Sequence, residues 1–220
     1  ISNIDSFNNS INNEIITNEI IKNGFCEENM KTESIIEDTK ISNDDITPIL
    51  FENPIALDVP AKAKFYVLKS MEDAHIIKAI KYGIWCSTKK GNMKLNEAFT
   101  ISNKQYPIYL YFSVNKSGRF CGMAQMMSLY TLDRDFNEND EKWQGSFKIK
   151  WIFIKDILNK KVKNIKLPNK GKNKYRSISL SRDTEEIPYE QGIKMLNKFI
   201  NIKFKTSILI QHFDEQKQKA

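Results

Sequence analysis

The stretch Phe147–Ile154, which reads FKIKWIFI, decides the fold class of this 220-residue chain. Apolar and basic side chains alternate as far as Trp151, and the residues after it are apolar. Alternation with a period of two is typical of a strand buried on one face, whereas a continuous apolar run is typical of a strand buried on both. The stretch therefore predicts a strand within a sheet, with Trp151 in the core.

The same reasoning extends to the rest of the chain. It predicts three further strands, at 64–69, 108–114 and 120–127, the last two joined by a turn at 115–118. Apolar residues at helical spacing predict four helices, at 73–82, 92–102, 188–202 and 207–215. A lysine-rich loop is predicted at 159–174. Because strands and helices mix without a regular βαβ repeat, we predict an α+β fold, with a curled mixed sheet or small β-barrel surrounded by helices.

The charge divides the chain into two unlike parts. Residues 1–60 carry twelve acidic and three basic side chains, a net charge of −9, so residues 61–220 carry a net charge of +16. We predict that 1–60 are an acidic, Asn- and Ile-rich, largely disordered segment and connector, and that 61–220 form one domain. A strongly basic domain favours a polyanionic partner such as nucleic acid.

The residue inventory argues against several classes of protein. No apolar run reaches the length of a membrane span, so we expect no membrane partner. Cys26, Cys86 and Cys121 are odd in number and widely spaced, which favours a reducing compartment over a disulfide framework or a zinc site. The two histidines, His75 and His212, lie on unrelated segments, whereas a non-haem iron centre needs two histidines and a carboxylate. We therefore expect no metal, no cofactor and no enzymatic activity.

Two of the three tryptophans have unusual neighbours. Trp85 precedes Cys86, Ser87 and Thr88, and Trp143 precedes a Gln-Gly pair. A large aromatic side chain beside polar or turn-forming residues favours the wall of a pocket over the filling of a core. The alternative interpretation is that both are ordinary, partly buried aromatics.

Six ordered segments carry a resemblance to a known family. They read KFYVLKS (64–70), IKYGIWCST (80–88), LNEAF (95–99), FSVNKSGRFCG (112–122), KWQGSF (142–147) and SRDTEE (181–186). In this order, over roughly residues 61–215, they resemble a YTH domain. The sequence around the two tryptophans is more similar to that of the cytoplasmic reader group. The resemblance therefore implies a cytoplasmic location, with the nucleus left open.

The resemblance implies binding of N6-methyladenosine in single-stranded mRNA, with DNA not expected as a partner, and a role in post-transcriptional regulation. RNA-decay or translation machinery would then be the downstream partner. An aromatic cage would hold the methylated base. Because the methylated amine is neutral, the cage would work by stacking and by burying one methyl group.

The resemblance also assigns roles to individual residues. Trp85 and Trp143 would be two cage walls. Family members place a third tryptophan several residues before the second wall, but 130–141 contains none, so Phe136 is the candidate, with Leu132 and Tyr130 behind it.

The resemblance also implies contacts to the base. The Cys86 carbonyl would accept the methylamine N–H, with Ser87 and Asn115 near the base. Family members commonly carry Asn, Asp or Tyr where this chain has Met71 and His75, and one of these hydrogen-bonds the N1 ring nitrogen of adenine. His75 can donate such a bond and Met71 cannot; alternatively, His75 caps the helix at 73–82.

Phosphate contacts would fall to Lys69 and Arg182. For Arg182, a solvated turn capped by Asp183 is the alternative. The lysines of 160–174 are interpreted as a solvated loop that adds non-specific RNA affinity.

Two other functions remain as alternatives. One is a methyl-lysine reader, which also uses an aromatic cage, although a domain of charge +16 would repel a cationic ligand. The other is a general RNA-binding module without selectivity for the modification.

Overall fold

The computed structural model describes residues 57–103, 105–132, 145–169, 174–203 and 205–211. The strands are β1 (Lys64–Ser70), β2 (Ile84–Trp85), β3 (Ile108–Val114), β4 (Arg119–Met126), β5 (Phe147–Phe153), β6 (Ile157–Leu158), β7 (Lys166–Pro168), β8 (Tyr175–Ser177) and β9 (Glu185–Ile187). The α-helices are α1 (Asp73–Tyr82), α2 (Lys89–Ser102), α3 (Asn159–Val162) and α4 (Tyr189–Asn201), and a 3-10 turn spans Ile178–Leu180.

One mixed sheet organises these elements. Its strand order is β2-β5-β4-β3-β1-β9, and β6 pairs with the first two residues of β4. β1 and β3 run parallel, in register from Lys64 beside Ile108 to Ser70 beside Val114, while the other neighbours are antiparallel. Because parallel neighbours need a crossover, α1, β2 and α2 form the connection between β1 and β3. The carboxyl ends of β1 and β3 therefore lie side by side, where 71 and 115 begin two loops.

The central strands of the sheet are buried on both faces. On one face Leu68, Phe112 and Trp151 pack with α1 and α2. On the other face Phe65 and Tyr111 pack with α4 and with the apolar side chains of α3, β7 and the 3-10 turn. All of β3 is buried, as expected of a central strand.

Trp151 confirms the prediction made from its strand. Its side chain is 2% exposed, and its indole Nε1 donates a hydrogen bond to the carbonyl of Ala79 at 3.1 Å. The neighbouring strand accommodates this large ring at Gly122, where a Cβ would lie 2.7 Å from Trp151 Cζ3 and 2.6 Å from the Phe153 carbonyl oxygen. Glycine is therefore required where β4 passes the indole.

The predicted elements agree with the structure apart from the lysine-rich segment and some helix ends. The four predicted strands and the α+β class are confirmed. α2 begins at Lys89, three residues earlier than predicted, because Thr88 Oγ1 caps the backbone N–H of Gly91 at 3.2 Å. Of the predicted helix at 207–215, residues 208–211 are helical and the rest lies outside the described residues.

The prediction of a loop at 159–174 is wrong for most of its described part. That segment contains α3 and β7, and β7 pairs with β8 as a two-stranded ribbon. Because the segment is rich in lysine, its buried positions were not identified from the sequence. Val162, Ile165 and Leu167 lie between the lysines and pack in the core. Among the described residues, no helix is both long and apolar enough to cross a membrane.

Candidate functional site

A hydrogen-bonded junction lies at the carboxyl end of β1. The carboxylate of Asp183 accepts the backbone N–H of Lys69 at 2.9 Å through Oδ1 and the hydroxyl of Ser87 at 2.6 Å through Oδ2. Asp183 thus joins the end of β1, the segment after β2 and the turn before β9. Hydrogen bonds to an ionised acceptor are the stronger class, so the junction holds these three segments in a fixed arrangement.

The segment after β2 is fixed from its other side by Asn92. The Ser87 backbone N–H donates to Asn92 Oδ1 at 2.8 Å, and Asn92 Nδ2 donates to the Ser87 carbonyl at 2.9 Å and contacts Cys86 Sγ at 3.4 Å. Asn92 is 3% exposed, so these bonds are protected from water. The backbone of Cys86 is therefore held between Trp85, which pairs with β5, and the hydrogen bonds from Asn92 to Ser87.

Trp85 lies deeper than its chain neighbours indicated. The ring is 3% exposed and meets the ring of Phe112 edge-on, with centroids 5.0 Å apart and an interplanar angle of 82°. Its backbone pairs with Phe147 across β2 and β5. The core therefore holds the indole in one orientation, which suits a rigid wall for a flat ligand.

Lys69 is a partly buried cation beside this junction. Its Nζ donates to Ser113 Oγ at 3.1 Å and to the Ser179 carbonyl at 3.4 Å, and it lies 5.3 Å from the centroid of the Phe120 ring. Burial lowers the pKa of Lys69 below its ordinary value, because the surroundings disfavour the charged form. An ammonium group that has lost much of its water attracts an incoming phosphate more strongly than a fully solvated one.

Arg182 is exposed next to the junction. Its backbone N–H donates to Glu185 Oε2 at 2.8 Å, and Glu185 also forms an ion pair with Arg176. Within the described part of the chain, the Arg182 guanidinium has no carboxylate partner within ion-pair distance. The turn thus uses the backbone of Arg182 for its own structure and leaves the side chain facing solvent.

Three of the predicted base-contacting residues, Met71, His75 and Asn115, follow β1 and β3 in the chain. Asn115 Nδ2 contacts Met71 Sδ at 3.3 Å, and Met71 is 61% exposed. His75 is half-buried in the first turn of α1. The helix N-cap is Glu72, whose side chain makes no capping hydrogen bond.

The structure therefore brings Lys69, Cys86, Ser87 and Arg182 to one junction, with Met71 and Asn115 on the loops after β1 and β3 and His75 in the first turn of α1. Phe136 and Trp143, the other two predicted cage walls, lie outside the described residues. Of the residues placed behind Phe136, Leu132 is 68% exposed, and the backbone N–H of Tyr130 donates to Asn96 Oδ1 at 2.8 Å.

Sequence reasoning missed the two residues that organise the junction, Asp183 and Asn92. Asp183 was interpreted only as a possible cap of its own turn. A signal was available, because 157–182 contains nine basic residues and no acidic one, so Asp183 ends the longest basic stretch of the domain. Asn92 was placed at the start of a helix, where its type gives no indication of a long-range contact.

A separate cleft lies at the opposite end of β1. It has a volume of about 400 Å³ and is lined by Ala61–Lys64, Tyr106 and Glu186–Tyr189. None of the predicted site residues lines it, and Lys64 and Glu186 pair with each other there at 2.7 Å. Among the described residues, no group of three His, Cys, Asp or Glu side chains could hold a metal ion.

Comparisons with known proteins agree with this geometry. A family model described as YT521-B-like domain matches residues 63–200. The chain is 37% identical over 175 residues to human YTH domain-containing family protein 3, covering 76% of this chain and 29% of that protein. It is 39% identical over 148 residues to Methylated RNA-binding protein 1 of Saccharomyces cerevisiae, covering 66% and 47% respectively.

A solved structure shows the same fold. The YTH domain of Zygosaccharomyces rouxii MRB1 protein, in complex with N6-methyladenosine RNA, superposes with a TM-score of 0.63 at 36% identity. The match covers 71% of this chain and 97% of that one. The chain thus spans less than half the length of the two full-length relatives and nearly all of the solved domain.

Proposed function

Because the chain belongs to the YTH family, we propose that its domain at 61–220 reads N6-methyladenosine in single-stranded RNA. The observation that supports this most directly is the Trp85–Ser87 segment. It contains an indole that the core holds in one orientation, followed by a backbone that Asn92 and Asp183 fix on both sides. A relative with this fold is described in complex with N6-methyladenosine RNA.

The methylated amine is neutral, and this limits the selectivity of such a site for the methylated base. Stacking a base on an aromatic ring contributes about 1–3 kcal/mol whichever base is bound. Burying one methyl group adds on the order of 0.8 kcal/mol, and leaving its place empty in the unmethylated complex costs somewhat more. Selectivity for the methylated base is therefore expected to be about tenfold or somewhat greater, and not absolute.

The junction assigns separate tasks to its residues. The Cys86 carbonyl, held in place by its neighbours, accepts the single N–H that the methylated amine retains. Lys69 and Arg182, which adjoin the junction, bind phosphates. Such contacts position the strand without reading its sequence. Phe136 and Trp143 complete the cage in this proposal, which for these two residues depends on the family pattern alone.

The cellular role is a further part of the proposal. Binding to modified mRNA would bring RNA-decay or translation machinery to the transcript, in the cytoplasm. The activity is recognition and not catalysis, since the site proposed consists of cage walls, a backbone acceptor and phosphate-binding cations. Methyl-lysine and unmodified RNA are the competing ligands.

Titration of paired methylated and unmethylated RNAs tests the proposal. Trp85→Ala is a poor variant, because removing a buried Trp side chain costs about 3–5 kcal/mol of stability. Trp85→Phe keeps an aromatic ring in the core and shortens the wall, and we expect it to weaken binding of the methylated RNA by about tenfold while the domain stays folded. Trp143→Ala should reduce the ratio between the two RNAs towards one.

Three results would contradict the proposal. They are equal affinity of the wild-type domain for both RNAs, tighter binding of a trimethyl-lysine peptide, and unchanged affinity in both tryptophan variants. Circular dichroism and urea unfolding of each variant separate the loss of a cage wall from the loss of the fold.

A further inference from the structure

The β7–β8 ribbon presents a distinctive outer face. In its antiparallel register Lys166 lies opposite Ser177 and Pro168 lies opposite Tyr175. Directly opposed residues share a face, so Lys166, Pro168, Tyr175 and Ser177 lie on one side of the ribbon. Tyr175 is 64% exposed there, although tyrosine side chains are usually at least partly buried.

The inner face of the ribbon is anchored in the core. Leu167 is 1% exposed and Ile165 is 2% exposed, both within the apolar cluster beneath α4. The backbone N–H of Ile178 donates to the Ile165 carbonyl at 2.9 Å, which continues the pairing beyond β8. The anchor does not involve the Tyr175 ring, so the exposed ring is not needed to hold the ribbon in place.

The segment that contains this exposed ring is strongly basic. The residues at 157–182 include nine lysines and arginines and no acidic residue. Five exposed lysines of this stretch belong to the described part of the chain: Lys160, Lys161, Lys163, Lys166 and Lys174. None of the five has a carboxylate within ion-pair distance among the residues described. A basic surface without internal counter-charges favours a polyanion, and the exposed ring favours one that carries flat bases.

The ribbon adjoins the junction residues to which we assign phosphate contacts, Lys69 and Arg182. The 3-10 turn Ile178–Leu180 follows β8 directly, and the Ser179 carbonyl accepts a hydrogen bond from Lys69 Nζ at 3.4 Å. Arg182 comes two residues after this turn. It follows Tyr175 by seven positions, so at full extension the two residues lie at most about 25 Å apart. One RNA strand that extends several nucleotides beyond the modified base can therefore reach both.

We propose that the outer face of the β7–β8 ribbon, with Tyr175 as a stacking platform and the five lysines as phosphate contacts, binds single-stranded RNA that flanks the modified nucleotide. This extends the proposed function, because it makes affinity depend on RNA length as well as on methylation. It also revises the interpretation of these lysines as a solvated loop, since a fixed ribbon presents some of them beside an aromatic ring.

RNA length is the variable that tests the proposal. Methylated and unmethylated RNAs of about 5 and about 15 nucleotides would be titrated by calorimetry or fluorescence anisotropy. Tyr175→Ala should weaken binding of the longer RNAs by about fivefold or more, which corresponds to the loss of about 1 kcal/mol of stacking, and leave the short methylated RNA unchanged. Tyr175→Phe, which keeps the ring, should bind the longer RNAs as the wild type does.

Charge variants provide an independent measurement. Each phosphate neutralised on a single strand contributes about 0.7 to the log–log salt slope. Combined Lys161→Ala, Lys163→Ala and Lys166→Ala should therefore make the slope on the longer RNA shallower by about 2. The matched control removes three exposed lysines elsewhere, Lys62, Lys150 and Lys203, and should change that slope less.

Failure of this inference is separable from failure of the proposed function. Loss of binding to short methylated RNA in the Trp85 and Trp143 variants tests the cage and does not involve the ribbon. If Tyr175→Ala weakens short and long RNAs equally, or if neither RNA is affected, the ribbon is not an RNA-binding surface. An equal change of salt slope in the control lysine variant would also overturn it.

Discussion

The Ser87 hydroxyl donates a hydrogen bond of 2.6 Å to the Asp183 carboxylate, across 96 positions of the chain. The other oxygen of that carboxylate accepts the Lys69 backbone N–H. One side chain thus sets the spacing between the tryptophan segment and the end of β1 that carries Lys69. If the domain reads a modified nucleotide, this spacing decides whether base and phosphate can be held together.

A double-mutant cycle on this pair gives the first prediction. Asp183→Asn removes the charge and one acceptor with little change in size, and Ser87→Ala removes the donor. Each should lower the free energy of unfolding by about 1–3 kcal/mol, because a partly buried, charge-assisted hydrogen bond is removed. Since both act on one bond, the double variant should cost clearly less than their sum. Urea unfolding measures this, and strict additivity would show that the bond contributes nothing.

Gly91 supplies the second prediction. A Cβ at this position would clash with Ser87 Oγ and lie 2.7 Å from Thr184 Cγ2, so the junction leaves no space for it. Gly91→Ala gains about 1 kcal/mol of helix propensity in α2, but overpacking of a buried site costs about 1–3 kcal/mol. We expect net destabilisation together with weaker RNA binding. Lys90→Ala, an exposed neighbour, is the control, and a stabilised Gly91→Ala would contradict the packing argument.

The third prediction concerns salt. The domain should bind short single-stranded RNA with a log–log salt slope of about −2 to −4, as expected for a few phosphate contacts. Arg182→Ala should make that slope shallower by about 0.7 and weaken methylated and unmethylated RNA alike. Lys150→Ala, on the exposed side of β5, is the matched charge control. A changed ratio between the two RNAs in Arg182→Ala would mean that Arg182 senses the modification.

His75 and Trp143 are predicted to act on different parts of the base. If His75 donates to the N1 ring nitrogen, His75→Ala should cost about 1 kcal/mol for both RNAs, because both carry N1. Trp143→Ala should instead remove most of the difference between them. Calorimetry on the four combinations distinguishes the two roles. Unaltered binding by His75→Ala would leave this histidine with a structural role in α1.

A buried acidic residue predicts a dependence of stability on pH. The Asp156 side chain is 2% exposed, with Oδ1 3.3 Å from Arg119 Nε, and Gln211 Nε2 donates to Oδ2 at 2.8 Å. Burial raises the pKa of Asp156 to about 6, although Arg119 opposes the shift. The folded state therefore holds this proton more tightly than the unfolded state, whose carboxyl has a pKa near 3.9.

Stability from this group is fully present below about pH 4 and declines as the pH rises through about 6. Asp156→Asn, which is neutral at every pH, should lack this decline. The difference in unfolding free energy between the two proteins should change by about 2 kcal/mol between pH 4 and 6.5. Urea unfolding at several pH values measures it, and a difference that stays constant would show that Asp156 titrates normally.

The sequence by itself determined the strands and the long helices. In Phe147–Phe153 buried and more exposed side chains alternate, and Ile76 and Ile80 lie on the buried face of α1. These local patterns were sufficient to predict both elements. Period and apolar content are properties of neighbouring residues, which is why they can be found without the fold. The family was also identifiable, because six ordered motifs carry far more information than any one of them.

Only the tertiary structure decided how the site is held together. The parallel pairing of β1 with β3 and the bonds from Asp183 to Ser87 and Lys69 join residues far apart in the chain. A sequence pattern gives the type of each residue but not its distant neighbour. The depth of Trp85 also depends on the fold, since the Phe112 ring that it packs against is not among its neighbours on the chain.

The lysine-rich segment shows the same division. Its composition determined the positive charge, whereas the pairing of Pro168 with Tyr175 decided which side chains face outward together. The net charge of a segment can be counted from its sequence. Which side chains share one face of the ribbon depends on the register of its two strands, which backbone hydrogen bonds fix.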